Sequence, residues 1–323
     1  MAERTFLENV GNPFSMNAIG SAKAWKVRHL HHDPNIPPLI YVIESDAGQQ
    51  FLLGRGVSGR PKFNLIRYIA KSFAELFLEQ LNGKELSQYI ILRGAYPFDL
   101  QYAFGYAPPF DRLLLPTGFI KLQRVLNQEG TDWEIHAQNF IGNYHGEIWL
   151  IPDTAIASGS TIAYFLRNGF AHHLPKQVYV ITACGSLEGI QRIYKECLKK
   201  NVELIPVLSQ CIFEVSKLEN LPELPLTALS VMNPGSITTK ELYERAFHRY
   251  QGTRMCCMGD IGESLEDPVQ YSIHTLQEMQ LLGMNAKKED WSAWSIDPQT
   301  EEMKKKVHAF NPSLADYFKE IWK

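Results

Sequence analysis

Between Gln88 and Leu208 the chain alternates short apolar runs with segments of helical period. The runs are Tyr89-Ile90-Ile91-Leu92, Glu147-Ile148-Trp149-Leu150-Ile151, Gln177 to Thr182 and Val202 to Leu208, and the helical segments run from Thr161 to Asn168 and from Leu187 to Lys199. A strand without polar alternates is covered on both faces, and helices crossing over between parallel strands cover a sheet in that way. The predicted fold class is α/β, a doubly wound, mostly parallel sheet. Ligands on such sheets sit beyond the carboxyl ends of the strands. Two extended runs, Gly118 to Leu126 and Trp133 to Phe140, are joined by Asn127-Gln128-Glu129-Gly130-Thr131-Asp132, which predicts a hairpin projecting from the sheet.

Outside that core the pattern is looser. The stretch up to Pro38 is rich in His, Asn and Pro and reads as an arm. Leu39 to Glu44 and Gln50 to Leu53, separated by Ser45-Asp46-Ala47-Gly48, suit a β-hairpin. Pro61 suits a first helical turn, and Phe63, Ile66, Ile69, Ala70, Phe73, Leu76, Phe77 and Leu81 follow at helical spacing. From Leu218 to Gly252 the sequence is Pro-rich and then helical, and from Glu278 to Lys323 it is a charged, Trp-bearing tail.

With 323 residues, 45% hydrophobic and 21% charged, the chain can bury a full-sized core. A net charge of −3, with no concentration of Lys and Arg, gives no footprint for nucleic acid or an anionic membrane. Met1 to Val10 lacks the apolar core of a signal peptide, and no apolar run approaches the ~20 residues of a membrane span. Five cysteines at irregular spacing point to reduced thiols and a cytoplasmic location.

The strongest local signal is the apolar run Ile148 to Ile151, then Pro152-Asp153-Thr154-Ala155-Ile156-Ala157, then Ser158-Gly159-Ser160-Thr161 opening a helix. At such a junction a phosphate can accept hydrogen bonds from the first free amides of the helix, helped by nearby hydroxyls and the positive end of the helix dipole. Asp153, at the strand end, is placed to accept from the vicinal hydroxyls of an attached sugar. Taken alone, the stretch also fits a strand-to-helix turn with Ser and Thr as N-caps.

The segment resembles the phosphoribosyl pyrophosphate motif of type I phosphoribosyltransferases, most closely the uracil phosphoribosyltransferases. Asp153 matches the motif's Asp, Ala157 its Ala, Ser158 its Thr, Gly159 and Ser160 its two Gly, and Thr161 its Ser. Thr154 stands where many relatives carry a second acid. Further segments match in the same order. Ile91-Leu92-Arg93-Gly94-Ala95 is similar to the pyrophosphate loop, and Gly118 to Arg124 to the hairpin strand whose Arg reaches pyrophosphate. Ser186 to Ile193 is similar to the next helix start, and Met258-Gly259-Asp260-Ile261-Gly262-Glu263-Ser264 to the hood over the base. The match spans Phe63 to Ser216 and Met255 to Leu265.

The resemblance implies transfer of a 5-phosphoribosyl group from phosphoribosyl pyrophosphate to a nucleobase-like acceptor, with release of diphosphate. Asp153, Arg93 and Arg124 would carry the chemistry, with Lys121 beside the diphosphate and Gly94 and Ala95 in its loop. The segment Thr154-Ala155-Ile156-Ala157-Ser158-Gly159-Ser160-Thr161 would hold the 5-phosphate, and Met258, Gly259 and Asp260 would lie near the base. A Mg²⁺ ion would bridge diphosphate and ribose oxygens, with Asp260 near it directly or through water. A homodimer is implied as well. The corresponding division is 1–60 arm and hairpin extension, 61–217 core, 218–265 insertion and hood, 266–323 helical extension. Arg254-Met255-Cys256-Cys257-Met258 replaces the family's Pro-Gly-containing stretch, and Glu263-Ser264 lacks its Arg, so the acceptor stays open between uracil and another heterocycle. A second reading is a sensor with this fold that binds phosphoribosyl pyrophosphate or a nucleotide without turnover.

Other motifs compete. Gly54-Arg55-Gly56-Val57-Ser58-Gly59 matches a dinucleotide fingerprint, but Pro61 puts the helix start after the third Gly. The next strand, moreover, ends in Arg93-Gly94 rather than an acid. A basic loop is the preferred reading, with Arg55 or Arg60 within reach of a phosphate. His29, His31, His32 and Asp33 fit no helical ligand pair. His172-His173 suits a surface loop, Cys256-Cys257 buried small hydrophobes, and Trp291 and Trp294 anchoring of the tail.

Overall fold

The apolar run at Ile148 becomes a middle strand of an α/β sheet. The computed structural model describes residues 22–27, 33–53, 58–92, 95–105, 115–126, 133–215 and 232–238, with positions 267, 269–271, 273, 305, 308 and 309. In chain order the first elements are β1 (Lys23–Val27), β2 (Ile40–Glu44), α1 (Asp46–Leu53), α2 (Gly59–Leu81), β3 (Leu86–Leu92), α3 (Leu100–Gly105), β4 (Thr117–Leu126) and β5 (Trp133–Ile141). There follow β6 (Ile148–Ile156), α4 (Ser160–Gly169), β7 (Gln177–Ser186), α5 (Leu187–Leu198), β8 (Glu203–Ser209), β9 (Cys211–Val215) and β10 (Met232–Thr238).

The main sheet runs β1-β2-β8-β7-β6-β3-β4-β5. From β2 through β4 every neighbouring pair is parallel, and β1 and β5 close the two ends antiparallel. The alternation along the strands explains the double covering. In β6, Ile148 and Leu150 enter one core cluster while Trp149 and Ile151 enter the other. Tyr179 and Ile181 of β7 join the first cluster, and Val178 and Val180 the second. The first is closed by α1, α2 and α3 through Phe51, Phe73, Phe77 and Phe104, the second by α4 and α5 through Ile162, Phe165 and Ile193.

This arrangement creates a topological switch. From β3 the chain crosses by α3, on one face, to β4; from β6 it crosses by α4, on the other face, to β7. The strands β3 and β6 are neighbours, paired at Leu86 to Gln88 with Ile148 to Leu150. Beyond those pairs β6 runs on to Ile156 beside β7, and β3 to Leu92 beside β4. The two carboxyl ends and their loops therefore part, leaving the crevice where such sheets bind ligands.

Several sequence expectations are corrected. Gln50 to Leu53 is not a strand: Asp46–Leu53 is helix α1, and the hairpin forms between β1 and β2 instead. Ser45 starts α1 by accepting from Gly48 N at 3.1 Å, a capping interaction that composition alone disguised as a turn. The stretch read as an arm thus supplies β1, and β2 belongs to the sheet beside β8. The helix after the Gly-rich segment begins at Gly59 rather than after it. What removes the dinucleotide reading is the helix α1 in place of a preceding strand. The β4–β5 hairpin forms as expected, at the sheet's end: Thr117 to Lys121 pair with β3, while Leu122 to Leu126 continue beside β5 alone. Finally, β10 lies in the stretch read as Pro-rich, its pairing with β9 interrupted between Asn233 and Ile237. A bulge admits Pro234 and Gly235 there without breaking the ladder on either side. Among the described residues no helix is long and apolar enough to cross a membrane.

Helices α4 and α5 are tied by a charged cluster. Glu196 is buried on α5 and accepts from Arg167 of α4 at 2.9 Å and from Lys199 at 3.0 Å. Burial on its own would raise the Glu196 pKa, but the hydrogen bonds from Arg167 and Lys199 and their charges outweigh it and hold the carboxyl below its ordinary value. A depressed folded-state pKa contributes stability that is present above the unfolded value near 4.5 and is lost as pH falls through the folded one. Glu196→Gln should therefore lower unfolding free energy by about 1 kcal/mol at pH 7. The gap from wild type should close as urea titrations are taken to pH 3.

Candidate functional site

The carboxyl end of β6 carries the residues singled out in the sequence. Along it Asp153 and Ala155 are half-buried and alternate with buried Thr154 and Ile156. Thr154 and Ile156, expected in a phosphate-holding loop, are buried strand residues of β6; Ile156 is in register with Gly185 of β7 and sits in the core cluster with Ile162. The loop proper is shorter: Ala157, Ser158 and Gly159, then α4. Asp153 lies in register with Thr182 of β7.

Gly159 has φ +68°, and a Cβ there would stand 2.3 Å from the carbonyl oxygen of Gly189. Conversely, a Cβ on Gly189 would stand 2.4 Å from the Ala157 carbonyl oxygen. The glycine is thus required by the left-handed turn and by the close approach of α5. Ser186 fastens the contact: its hydroxyl donates to the Ala157 carbonyl and accepts from Gly189 N, the latter at 2.8 Å. Sequence reading placed Ser186 and Gly189 at a helix start without linking them to the loop. A Ser followed three residues later by a close-packing Gly was the available signal.

Two helix N-termini therefore meet at one edge, in different states. The first turn of α5 is capped by Ser186 and carries Glu188. At α4 the N-cap is Gly159, no side chain caps it, and its first turn holds no acid. Ser160 N reaches the Ser158 hydroxyl only at 3.5 Å, and the hydroxyls of Ser158 and Ser160 lie 3.0 Å apart. Ser158, Ser160 and Thr161 are half-buried. With only that long contact made by Ser160 N, the first-turn amides, the hydroxyls and an uncompensated dipole favour an anion at α4 over α5.

Across the crevice, Lys121 is exposed on β4 in register with Leu92 at the end of β3. Ala95 is buried. Arg93, Gly94, Met258, Gly259 and Asp260 lie outside the described residues, as do Gly54 to Val57, His29, His31, His32, Cys256, Cys257, Trp291 and Trp294. Arg124 is paired with Ile135 after a register shift, and its side chain lies outside the described residues. Arg60 is exposed in the first turn of α2. Of the neighbouring histidines, His172 stacks on Tyr144 and His173 Nε2 donates to the Gly146 carbonyl at 2.8 Å, both near the amino end of β6, away from the site.

No protein-family model and no curated protein matches the sequence. Among solved structures, the chain is similar to the AQ2163 protein of Aquifex aeolicus at 17% identity, over 69% of this chain and 97% of that one, with a TM-score of 0.42. An adenine phosphoribosyl transferase from Trypanosoma brucei, in complex with AMP, pyrophosphate and ribose-5-phosphate, is similar at 11% identity over 57% of this chain and 86% of that one, TM-score 0.37. For a hypoxanthine phosphoribosyltransferase from Staphylococcus aureus the values are 18%, 37% and 62%, TM-score 0.29, so that less than two thirds of that chain is spanned.

The Gly159–Gly189 contact yields a direct test. Gly159→Ala forces a side chain into both a left-handed φ and the Gly189 carbonyl, and should cost at least about 2 kcal/mol of stability. Ser186→Ala leaves the Ala157 carbonyl and Gly189 amide without their shared partner, and should cost about 1 to 2 kcal/mol. Chemical denaturation of the two variants checks both.

Proposed function

We propose that the chain is a phosphoribosyltransferase that takes the 5-phosphoribosyl group of phosphoribosyl pyrophosphate and passes it to a nitrogenous heterocycle. The observation that supports this reading best is the pairing, at a topological switch, of a strand-end carboxylate with an uncapped helix N-terminus. The 5-phosphate would accept from the amides of Ser160, Thr161 and Ile162 and from the hydroxyls of Ser158, Ser160 and Thr161. Asp153, a few residues upstream, would accept from the ribose hydroxyls. The sugar then lies with its anomeric carbon toward β3.

In the reaction a ring nitrogen of the acceptor gives its lone pair to C1 while the C1–O bond to diphosphate breaks. The electron pair leaves with the diphosphate, and the acceptor's N–H proton passes to water. Positioning and charge neutralisation are the protein's tasks, because the transition state is cationic at the sugar and anionic at the leaving group. Asp153 holds the ribose as C1 becomes electron-poor, while Lys121, with Arg93 and Arg124, is assigned to the diphosphate. Asp153 offers the hard oxygen chemistry that suits Mg²⁺, which would keep most of its waters, and Asp260 is assigned near it. When bound it would neutralise diphosphate charge. We assign the protein to a homodimer and leave uracil as one heterocycle among the acceptors to be tried.

Incubation with phosphoribosyl pyrophosphate, Mg²⁺ and a panel of heterocycles, with diphosphate release followed, tests the assignment. Acceptor-dependent release is expected, and Asp153→Asn should reduce it by about 100-fold or more. Tight binding of phosphoribosyl pyrophosphate with no release across the panel would identify a sensor instead.

A further inference from the structure

Helix α2 carries its charges against its own dipole. Its first turn holds Arg60 and Lys62 and no acid, while its last turn holds no base and Glu79 stands near its end. The macrodipole favours the reverse, anions at the amino end and cations at the carboxyl end. Lys62 has its reason inside the protein, since it is buried and donates to the Tyr271 hydroxyl at 2.8 Å. Arg60 and Glu79 are exposed, and neither forms an ion pair among the described residues.

The inner face of α2 enters the first core cluster through Ile66, Ile69, Phe73 and Phe77. Opposite it, Arg60, Asn64, Tyr68, Lys71, Glu75 and Glu79 follow at spacings of three and four and form one outer stripe. Tyr68, in its middle, keeps 60% of its surface exposed, and Lys71 and Glu75 are partly exposed and 3.6 Å apart. Base lies toward the amino end of the stripe and acid toward the carboxyl end. A second α2 laid antiparallel about an axis between Tyr68 and Lys71 sets Arg60 against Glu79, Asn64 against Glu75 and Tyr68 against Lys71. The opposite ends of the two dipoles also come side by side, which a parallel pairing would not allow. A two-fold interface requires a patch complementary to itself, and this stripe meets that condition.

From Arg60 to Glu79 the stripe runs about 29 Å at the helical rise. That matches the roughly 30 Å breadth of a patch of about 800 Å² per partner, the usual size in a specific complex. On one flank Tyr102 of α3 is exposed, with the Arg67 guanidinium 3.5 Å from its ring centre. Tyr and Arg are the residue types that interfaces favour. We propose that a second copy of the chain docks on this stripe, α2 against α2, antiparallel about a two-fold axis between Tyr68 and Lys71. The inference gives the homodimer assigned above its surface and needs nothing from the phosphoribosyl reading. Arg60 of each copy pairs with Glu79 of the other, so that contact is made twice.

Sedimentation velocity of the full chain over a concentration series tests the surface in wild type, Arg60→Glu, Glu79→Arg and the double variant that exchanges the two charges. Both positions are exposed, so thermal melts of the variants should stay close to wild type. Wild type should form a dimer. Each single reversal sets like charges together at two places and should weaken self-association about tenfold. The double variant restores opposite charges across the axis and should recover the wild-type dimer. A wild type that stays monomeric overturns the proposal. So does a dimer that both single reversals leave unchanged, because it uses another face, and so does a double variant as weak as the singles, because the antiparallel register then fails.

Discussion

One hydroxyl organises the edge on which the chemistry depends. Ser186 donates to the Ala157 carbonyl and accepts from Gly189 N, so it binds the loop after β6 to the first turn of α5 while capping α5 itself. The Gly159–Gly189 approach is possible because neither residue has a side chain. As a result α5 spends its Gly189 amide on a short bond to Ser186, whereas at α4 Ser160 N makes only a long contact, 3.5 Å, with the Ser158 hydroxyl. The asymmetry is electrostatic as well, since Glu188 compensates one dipole and no first-turn acid compensates the other.

The remaining structure serves to hold that edge still. Both faces of β6 and β7 are packed, one against α1, α2 and α3 and the other against α4 and α5, so neither strand can shift register without moving a whole hydrophobic set. Glu196 ties α4 to α5 lower down, through Arg167 and Lys199. The pairing of β3 with β6 ends at Gln88 and Leu150, so their carboxyl ends part beyond it. On the phosphoribosyl reading such a site would work by preorganisation, with the groups that meet charge at the transition state held in place beforehand.

The parallel core was legible because period and burial agree there: Ile148 to Ile151 and Gln177 to Thr182 are apolar on both faces, and they are strands. Local propensity misled where side chains acted on the backbone. Ser45 and Asp46 look like turn residues and instead start α1, and Asn233-Pro234-Gly235 looks like a loop and instead forms a bulged strand. Within the site, Asp153 and Ser158 to Thr161 were legible as a strand-to-helix junction. The burial of Thr154 and Ile156 was not, because a strand that outruns its neighbour on one side can still be paired on the other. The Ser186–Gly189 clasp was also hidden, since its bond to Ala157 joins segments distant in the chain.

On the phosphoribosyl reading the first-turn amides of α4 bind a sugar phosphate. Backbone amide resonances recorded during titration with ribose 5-phosphate test it most directly. Shifts concentrated on Ser158 to Ile162, with smaller ones at Asp153 and none at the capped first turn of α5, are the predicted result. Saturable binding whose shifts fall elsewhere, leaving Ser160 and Thr161 unmoved, would contradict it.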